Sequence, residues 1–263
     1  MDLASGKLVR DEPADGVVRL RIANPDRRGA LDHEILDALA ETVSDLDARC
    51  LVLTGTGPVF SAGYDLGNLD GREFEESAER LVAHPFHAAL EALEEFPFPV
   101  IGQINGHAIG GGLELALTCD IRLAAVGVRV GMPPAKLGLI YSHTGLRKFL
   151  DVCGPANTAE LFYVGRNVDA EHGLAMGLLN HVVDADELEE LTVGMAGEIA
   201  ANAPLSLRGN KRVVRELRHH AAALPEDVAR ELVDLRESCF RSEDFREGVR
   251  AFAAKRPPAW RGR

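Results

Sequence analysis

Basic residues are in short supply in this chain. Its 29 Lys and Arg face 41 Asp and Glu, a formal net charge of −12. General nucleic-acid binding needs a basic face, so nucleic acid is not an expected partner. A small anionic ligand is still possible, because a local basic cluster would hold it. Cysteine is sparse as well: Cys50, Cys119, Cys153 and Cys239 are widely spaced, with no Cys-x-x-Cys. Three of them lie in apolar runs and read as reduced core residues. No apolar run is long enough to span a bilayer, and no charged-then-apolar leader opens the sequence. The expected setting is soluble and cytoplasmic, with no membrane partner. Repeats and low-complexity segments are lacking too. His84 and His87 are spaced i, i+3, but no third ligand accompanies them, so no metal is expected. Gly55-Thr-Gly57 follows a strand-like run, but Pro58 and the missing third glycine exclude a dinucleotide loop.

What is present is ordinary globular material, 46% hydrophobic, organised around Asn105 to Asp120. An apolar run, Phe98 to Ile104, reads as a buried strand. Leu113 to Cys119 reads as a core helix. Between them lie Gly106 and the triplet Gly110, Gly111, Gly112. Glycine permits positive φ and close approach of a ligand to the backbone. A helix opening there presents unpaired N–H groups with partial positive charge. Glu114 falls in its first turn. It either complements the helix dipole or serves as an acid, a base or a water-positioning group.

A second stretch adds to the first. Leu51 to Gly55 reads as a strand, and Phe60-Ser-Ala-Gly-Tyr-Asp-Leu66 follows a short loop. This pattern, followed by Asn-Gly-x-x-x-Gly-Gly-Gly-x-Glu, resembles the enoyl-CoA hydratase/isomerase (crotonase) superfamily. Asn24 to Leu31, Cys119 to Arg122 and Gly173 to Val183 extend the resemblance over most of the chain. It implies an α/β fold, a crotonase-like spiral of ββα units with a C-terminal helical trimerisation part. It implies that the N–H groups of Tyr64 and Gly111 form an oxyanion hole for a thioester carbonyl. Such donors are each worth roughly 10²–10³ in rate. It places Arg27 and Arg28, otherwise two solvated charges, against coenzyme A, together with Ala62, Asp65 and Leu66. Lys255 is either a solvated lysine or a contact to the 3′-phosphate of coenzyme A in a neighbouring subunit. No cofactor is implied beyond coenzyme A as part of an acyl-CoA substrate, and the implied assembly is a homotrimer or a dimer of trimers.

Val130 to Gly145 departs from the hydratase pattern. Hydratases carry a second glutamate directly after the first proline of this segment, and Pro134 stands there instead. Syn hydration uses two carboxylates on one water, and only Glu114 remains. Met132-Pro-Pro134 and Leu137-Gly-Leu-Ile-Tyr141 resemble instead the methylmalonyl-CoA decarboxylase branch, as do Gly177 to Val183 and Ser242 to Gly248. That branch implies decarboxylation of a malonyl-type CoA, methylmalonyl- or ethylmalonyl-CoA, with Tyr141 orienting the carboxylate or delivering a proton. Ser142 and His143 are either neighbours of the site or solvent-facing loop residues. A histidine stands at the Tyr64 position in a bacterial decarboxylase of the branch, so the pocket wall differs. The alternatives are a hydratase or isomerase using Glu114, or a CoA-binding protein without turnover.

Organisation follows from local signals. Lys7 to Arg10 and Val17 to Ile22 read as strands around a turn. Asp32 suits the N-cap of a helix with Ile35, Leu36, Leu39, Val43 and Leu46 on one face. Residues 67 to 79 are polar and read as a cover leading into a helix over 72–95. Asp120 and Arg122 read as an ion pair at a turn. Helices are expected over 146–152, 156–163, 170–176, 186–201, 204–220, 226–240 and 242–254, with Pro204 in a first turn. Residues 1 to 190 form the expected core for acyl-CoA binding and catalysis, and residues 191 to 263 the helical oligomerisation part.

Overall fold

The computed structural model describes residues 1–65, 85–220 and 225–261. Leu66, His84 and the expected cover over 67–79 lie outside them.

Eleven strands among the described residues form two sheets. They are β1 (Asp2–Leu3), β2 (Leu8–Ala14), β3 (Val17–Ile22), β4 (Cys50–Gly55), β5 (Val59–Ser61) and β6 (Val100–Ile104). Then come β7 (His107–Ile109), β8 (Ile121–Ala125), β9 (Arg129–Gly131), β10 (Val168–Asp169) and β11 (His181–Val183). The larger sheet has the order β1-β2-β3-β4-β6-β8-β11 and the smaller β10-β9-β7-β5. The first three strands run antiparallel, and from β3 to β11 every pairing in the larger sheet is parallel.

The order shows how the chain winds. β4 lies in the larger sheet and β5 in the smaller. The next pairs, β6 with β7 and β8 with β9, repeat that division. Helices Pro85–Glu95, Gly111–Thr118 and Pro134–Leu137 follow the three pairs in turn. Each ββα unit therefore advances both sheets by one strand, which makes a spiral. β4 and β6 are buried along their whole length, as expected of parallel strands covered on both faces.

Local chemistry sets the boundaries. Asp32 caps helix His33–Ser44, its Oδ1 accepting from the Ile35 N–H at 2.9 Å, and Ile35, Leu36, Leu39 and Val43 are buried beneath. Ser242 caps Glu243–Ala253 in the same way. Gly154, at φ +72°, kinks the helical run His143–Ala159 just before Pro155, and a π-helical turn, Glu160–Val164, ends it. Helix Leu188–Ala201 straddles residue 190 and packs on the larger sheet. Its Glu189 accepts from Gln103 at 2.8 Å and pairs with Arg19. Asp120 and Arg122 do not pair with each other. Asp120 accepts from the Val100 N–H and pairs with Lys211, while Arg122 donates to the carbonyls of Leu178 and Cys119. Each lies at a separate chain crossing, so each is held by the groups converging there. All four cysteines are free thiols. Among the described residues, no helix is long and apolar enough to cross a membrane.

Candidate active site

Two glycine turns meet beside strands β5 and β7. In the first, Gly63 takes φ +91° and its N–H donates to the Ser61 hydroxyl at 3.1 Å. In the second, Gly110 takes φ +58° immediately before helix Gly111–Thr118. A Cβ on Gly63 would lie 2.9 Å from the Ile109 carbonyl and 3.0 Å from the Gly111 nitrogen. A Cβ on Gly112 would fall 2.3 Å from the Ser61 carbonyl. The turns thus touch through backbone, and only glycine fits between them. Tyr64 follows the first turn and Gly111 begins the helix, whose opening N–H groups have no intrahelical partner. Sequence reasoning named both residues, and the fold brings them together.

The rest of the glycine-rich motif is structural. The Asn105 Oδ1 accepts from the Gly55 N–H at 2.8 Å and the Thr54 hydroxyl at 3.1 Å, and its amide donates to the Gly57 carbonyl at 2.8 Å. A Cβ on Gly106 would strike the Pro58 backbone at 2.2 Å. These two residues hold the β4–β5 connection against the β6–β7 corner.

Helix Gly111–Thr118 is buried along its length and carries Glu114, only 4% exposed, in its first turn. Burial raises the Glu114 carboxyl to about 7, against the opposing pull of a hydrogen bond from Tyr141. The Tyr141 hydroxyl donates to Glu114 Oε2. Tyr141 is itself buried, and burial followed by the Glu114 carboxylate holds its phenol well above the ordinary tyrosine range. Its ring is set edge-on against Phe162, 5.7 Å between centroids, and Phe162 in turn against Phe149 at 5.0 Å. The Tyr64 hydroxyl lies 3.5 Å from that of Tyr141. All four expected catalytic positions, Tyr64, Gly111, Glu114 and Tyr141, therefore belong to one contiguous site.

Gly145 completes this wall. A Cβ there would meet the Tyr141 ring at 2.6 Å and both Glu114 Oε1 and Ser142 Oγ at 2.9 Å. Sequence reasoning noted this glycine only as part of a pattern. Phe162 and Phe86, which flank the two tyrosines, were not singled out, and no spacing in the sequence marks them. Ser142 caps the helix opening at His143, its hydroxyl accepting from the Gly145 N–H at 3.0 Å. Pro134 is buried at the start of helix Pro134–Leu137 and brings no proton-transfer group. Among the described residues no group of three or more His, Cys, Asp or Glu side chains could hold a metal ion.

Four of the candidate coenzyme A residues, Arg27, Arg28, Ala62 and Asp65, lie side by side. The chain from Ala62 to Asp65 runs beside Arg28 to Leu31. The Ala62 N–H donates to the Arg28 carbonyl at 3.1 Å, and the Asp65 N–H to the Leu31 carbonyl at 3.0 Å. The Arg27 guanidinium lies 3.5 Å from the Asp65 carboxylate. Arg27, Arg28 and Ala62 are exposed there. Arg28 is in the left-handed region at φ +55°, in a loop held by Asn24, whose side chain donates to the Ala30 carbonyl at 2.9 Å. Lys255 is exposed on a separate element, in the turn after Glu243–Ala253.

The model of the enoyl-CoA hydratase/isomerase family matches residues 12–263. The chain belongs to that family. The methylmalonyl-CoA decarboxylase of Escherichia coli (strain K12) is 31% identical over 243 residues, 89% of this chain and 90% of that protein. The enoyl-CoA isomerase/hydratase fer4 of Mycosarcoma maydis is 32% identical over 265 residues, 94% of this chain and 93% of that protein. Among solved structures, a methylmalonyl-CoA decarboxylase in complex with 2-nitronate-propionyl-CoA superposes with a TM-score of 0.89 at 28% identity, covering 98% of this chain and 99% of that one. The crotonase-like spiral and the likeness to the decarboxylase branch both stand on these matches. Decarboxylase and hydratase names occur side by side at similar identity.

Proposed function

We propose that the protein is an acyl-CoA lyase that decarboxylates a malonyl-type CoA such as methylmalonyl- or ethylmalonyl-CoA. The observation that carries this reading is the pair Glu114 and Tyr141. They share a hydrogen bond in a buried wall, with Pro134 where a second carboxylate would be needed for hydration. Structural neighbours bound to 2-nitronate-propionyl-CoA and to 2S-carboxypropyl CoA add support.

The thioester carbonyl oxygen accepts from the N–H groups of Tyr64 and Gly111, which stabilise the charge it gains. The bond between the α-carbon and the carboxylate then breaks. CO2 leaves, and the electron pair passes into the thioester enolate. No base is consumed, so one carboxyl group is enough. Tyr141 orients the departing carboxylate or passes a proton to the α-carbon. Glu114, whose burial raises its carboxyl to about 7 and keeps it mostly protonated below that pH, then avoids setting a full second negative charge beside the substrate. Arg27, Arg28, Ala62 and Asp65 line the edge for the coenzyme A portion, and no further cofactor enters.

The test is a mass-spectrometric screen over methylmalonyl-, ethylmalonyl- and crotonyl-CoA. Loss of CO2 from the malonyl substrates is the expected result. Gain of water by crotonyl-CoA, with the malonyl substrates untouched, would give the site to hydration by Glu114.

A further inference from the structure

The side chain of Tyr64 has no part in the oxyanion hole, which uses only its N–H. Its ring nevertheless lies across the neighbouring turn. A Cβ on Gly111 would sit 3.1 Å from the Tyr64 Cζ and 3.2 and 3.3 Å from the two Cε atoms. The phenol end of the ring therefore covers Gly111 directly. The same ring meets Phe86 edge-on at 4.8 Å, and its hydroxyl reaches the Tyr141 hydroxyl at 3.5 Å. On the reading above, Glu114 and Tyr141 act at the α-carbon of the bound thioester. The Tyr64 ring and the Tyr141 phenol meet each other there. Behind Tyr141 the wall is continued by Phe162 and Phe149, both buried. An acyl chain extending past the α-carbon on the side of these rings would meet them.

From this contact we infer that the Tyr64 side chain sets the size limit of the acyl group, admitting a short substituent and excluding a long one. The inference rests on the acyl-CoA reading above but not on which reaction follows. Hydrophobic pockets discriminate by about 10–200-fold per methylene, and removing a phenol opens several methylenes of space.

Binding of saturated acyl-CoAs tests it without turnover. Calorimetric Kd values for propionyl-, hexanoyl- and octanoyl-CoA are measured on the wild type, Tyr64→Ala and Tyr64→Phe, each first checked for a cooperative melt. The wild type is expected to bind propionyl-CoA at least 10-fold more tightly than octanoyl-CoA. Tyr64→Ala, which keeps the backbone N–H, removes that preference or reverses it. Tyr64→Phe, which keeps the ring and loses only the hydroxyl, retains it. Should Tyr64→Ala fail to fold, Tyr64→Leu replaces it and is expected to weaken the preference. Equal affinity of the wild type for all three ligands overturns the size limit while leaving acyl-CoA binding intact. So does a preference unchanged in the Ala or Leu variant. Binding of none of them by the wild type overturns the acyl-CoA reading, and the size limit with it.

Discussion

At the residue scale, Glu114 decides between chemistries through the sign of a pH dependence. Its carboxyl is raised to about 7 because it is buried. If decarboxylation needs it neutral, kcat/KM on methylmalonyl-CoA falls as pH rises through about 7. A hydration base must be ionised, and kcat/KM on crotonyl-CoA would then rise across the same range. Stability carries the same sign as the first case. Between the ordinary carboxylate range and about 7 the native state holds a proton that the unfolded chain has released, so stability declines as pH rises there. Glu114→Gln removes this slope in denaturant melts and, for decarboxylation, costs less rate than it would for hydration. Tyr141→Phe keeps the ring packed on Phe162 and removes the hydroxyl that reaches Glu114. It is expected to lower decarboxylation by about 10–10³-fold, the value of one orienting bond or proton donor; an unchanged rate on methylmalonyl-CoA would remove it from the mechanism. Gly111→Val would press a branched side chain against the Tyr64 ring, whose Cζ lies 3.1 Å from where its Cβ falls, at one of the two proposed oxyanion donors. Abolished turnover with a retained circular dichroism spectrum is the expected outcome.

At the scale of elements, the site depends on helices that start where they do. Ser142 begins the helix that brings Gly145 against Tyr141 and Glu114. A side chain at Gly145 has no space, so Gly145→Ala must displace the Tyr141 ring or the Glu114 carboxylate. The variant is expected to melt cooperatively and lose at least about 10-fold in kcat/KM; wild-type kinetics would show the contact to be irrelevant. The carboxy-terminal helix reaches the same region. A Cβ on Gly248 would fall 2.3 Å from the Leu137 carbonyl. The Cys239 thiol donates to the Gly138 carbonyl at 2.9 Å, and the Trp260 ring lies 3.1 Å from the position of a Gly138 Cβ. The tail of the chain therefore packs on the segment leading to Tyr141.

At the scale of the whole molecule, the exposed Arg27 and Arg28 stand against a net charge of −12. Helix Pro204–His220 exposes the large apolar side chains Leu205, Val213, Val214 and Leu217. The assembly of three or six chains implied by the family resemblance would bury such side chains. Sedimentation velocity checks it: three or six chains per particle are expected, and a monomer at micromolar concentration would refute the proposed assembly.

The sequence by itself determined what local chemistry dictates. Glycine positions marked the two turns, because positive φ and backbone contact admit little else. Asp32 marked a helix start through its capping oxygen, Pro204 opened its helix as expected, and the helix expected from residue 242 begins after a Ser242 cap that the structure shows. Apolar runs marked β4 and β6. Glu114 stood out by its place in the first turn of a glycine-opened helix, and Tyr64, Gly111 and Tyr141 were singled out as candidates through the family resemblance of their motifs. Only the tertiary structure decided what touches what. Asp120 and Arg122, two residues apart, looked like partners, yet Asp120 pairs with Lys211 and Arg122 donates to the carbonyls of Leu178 and Cys119. Phe162 reaches Tyr141 across 21 positions through a π-helical turn, and Gly145 matters because three side chains converge on it. Ordinary aromatic and glycine residues carry no mark of such contacts, because a contact between distant segments is a property of the packing and not of either residue.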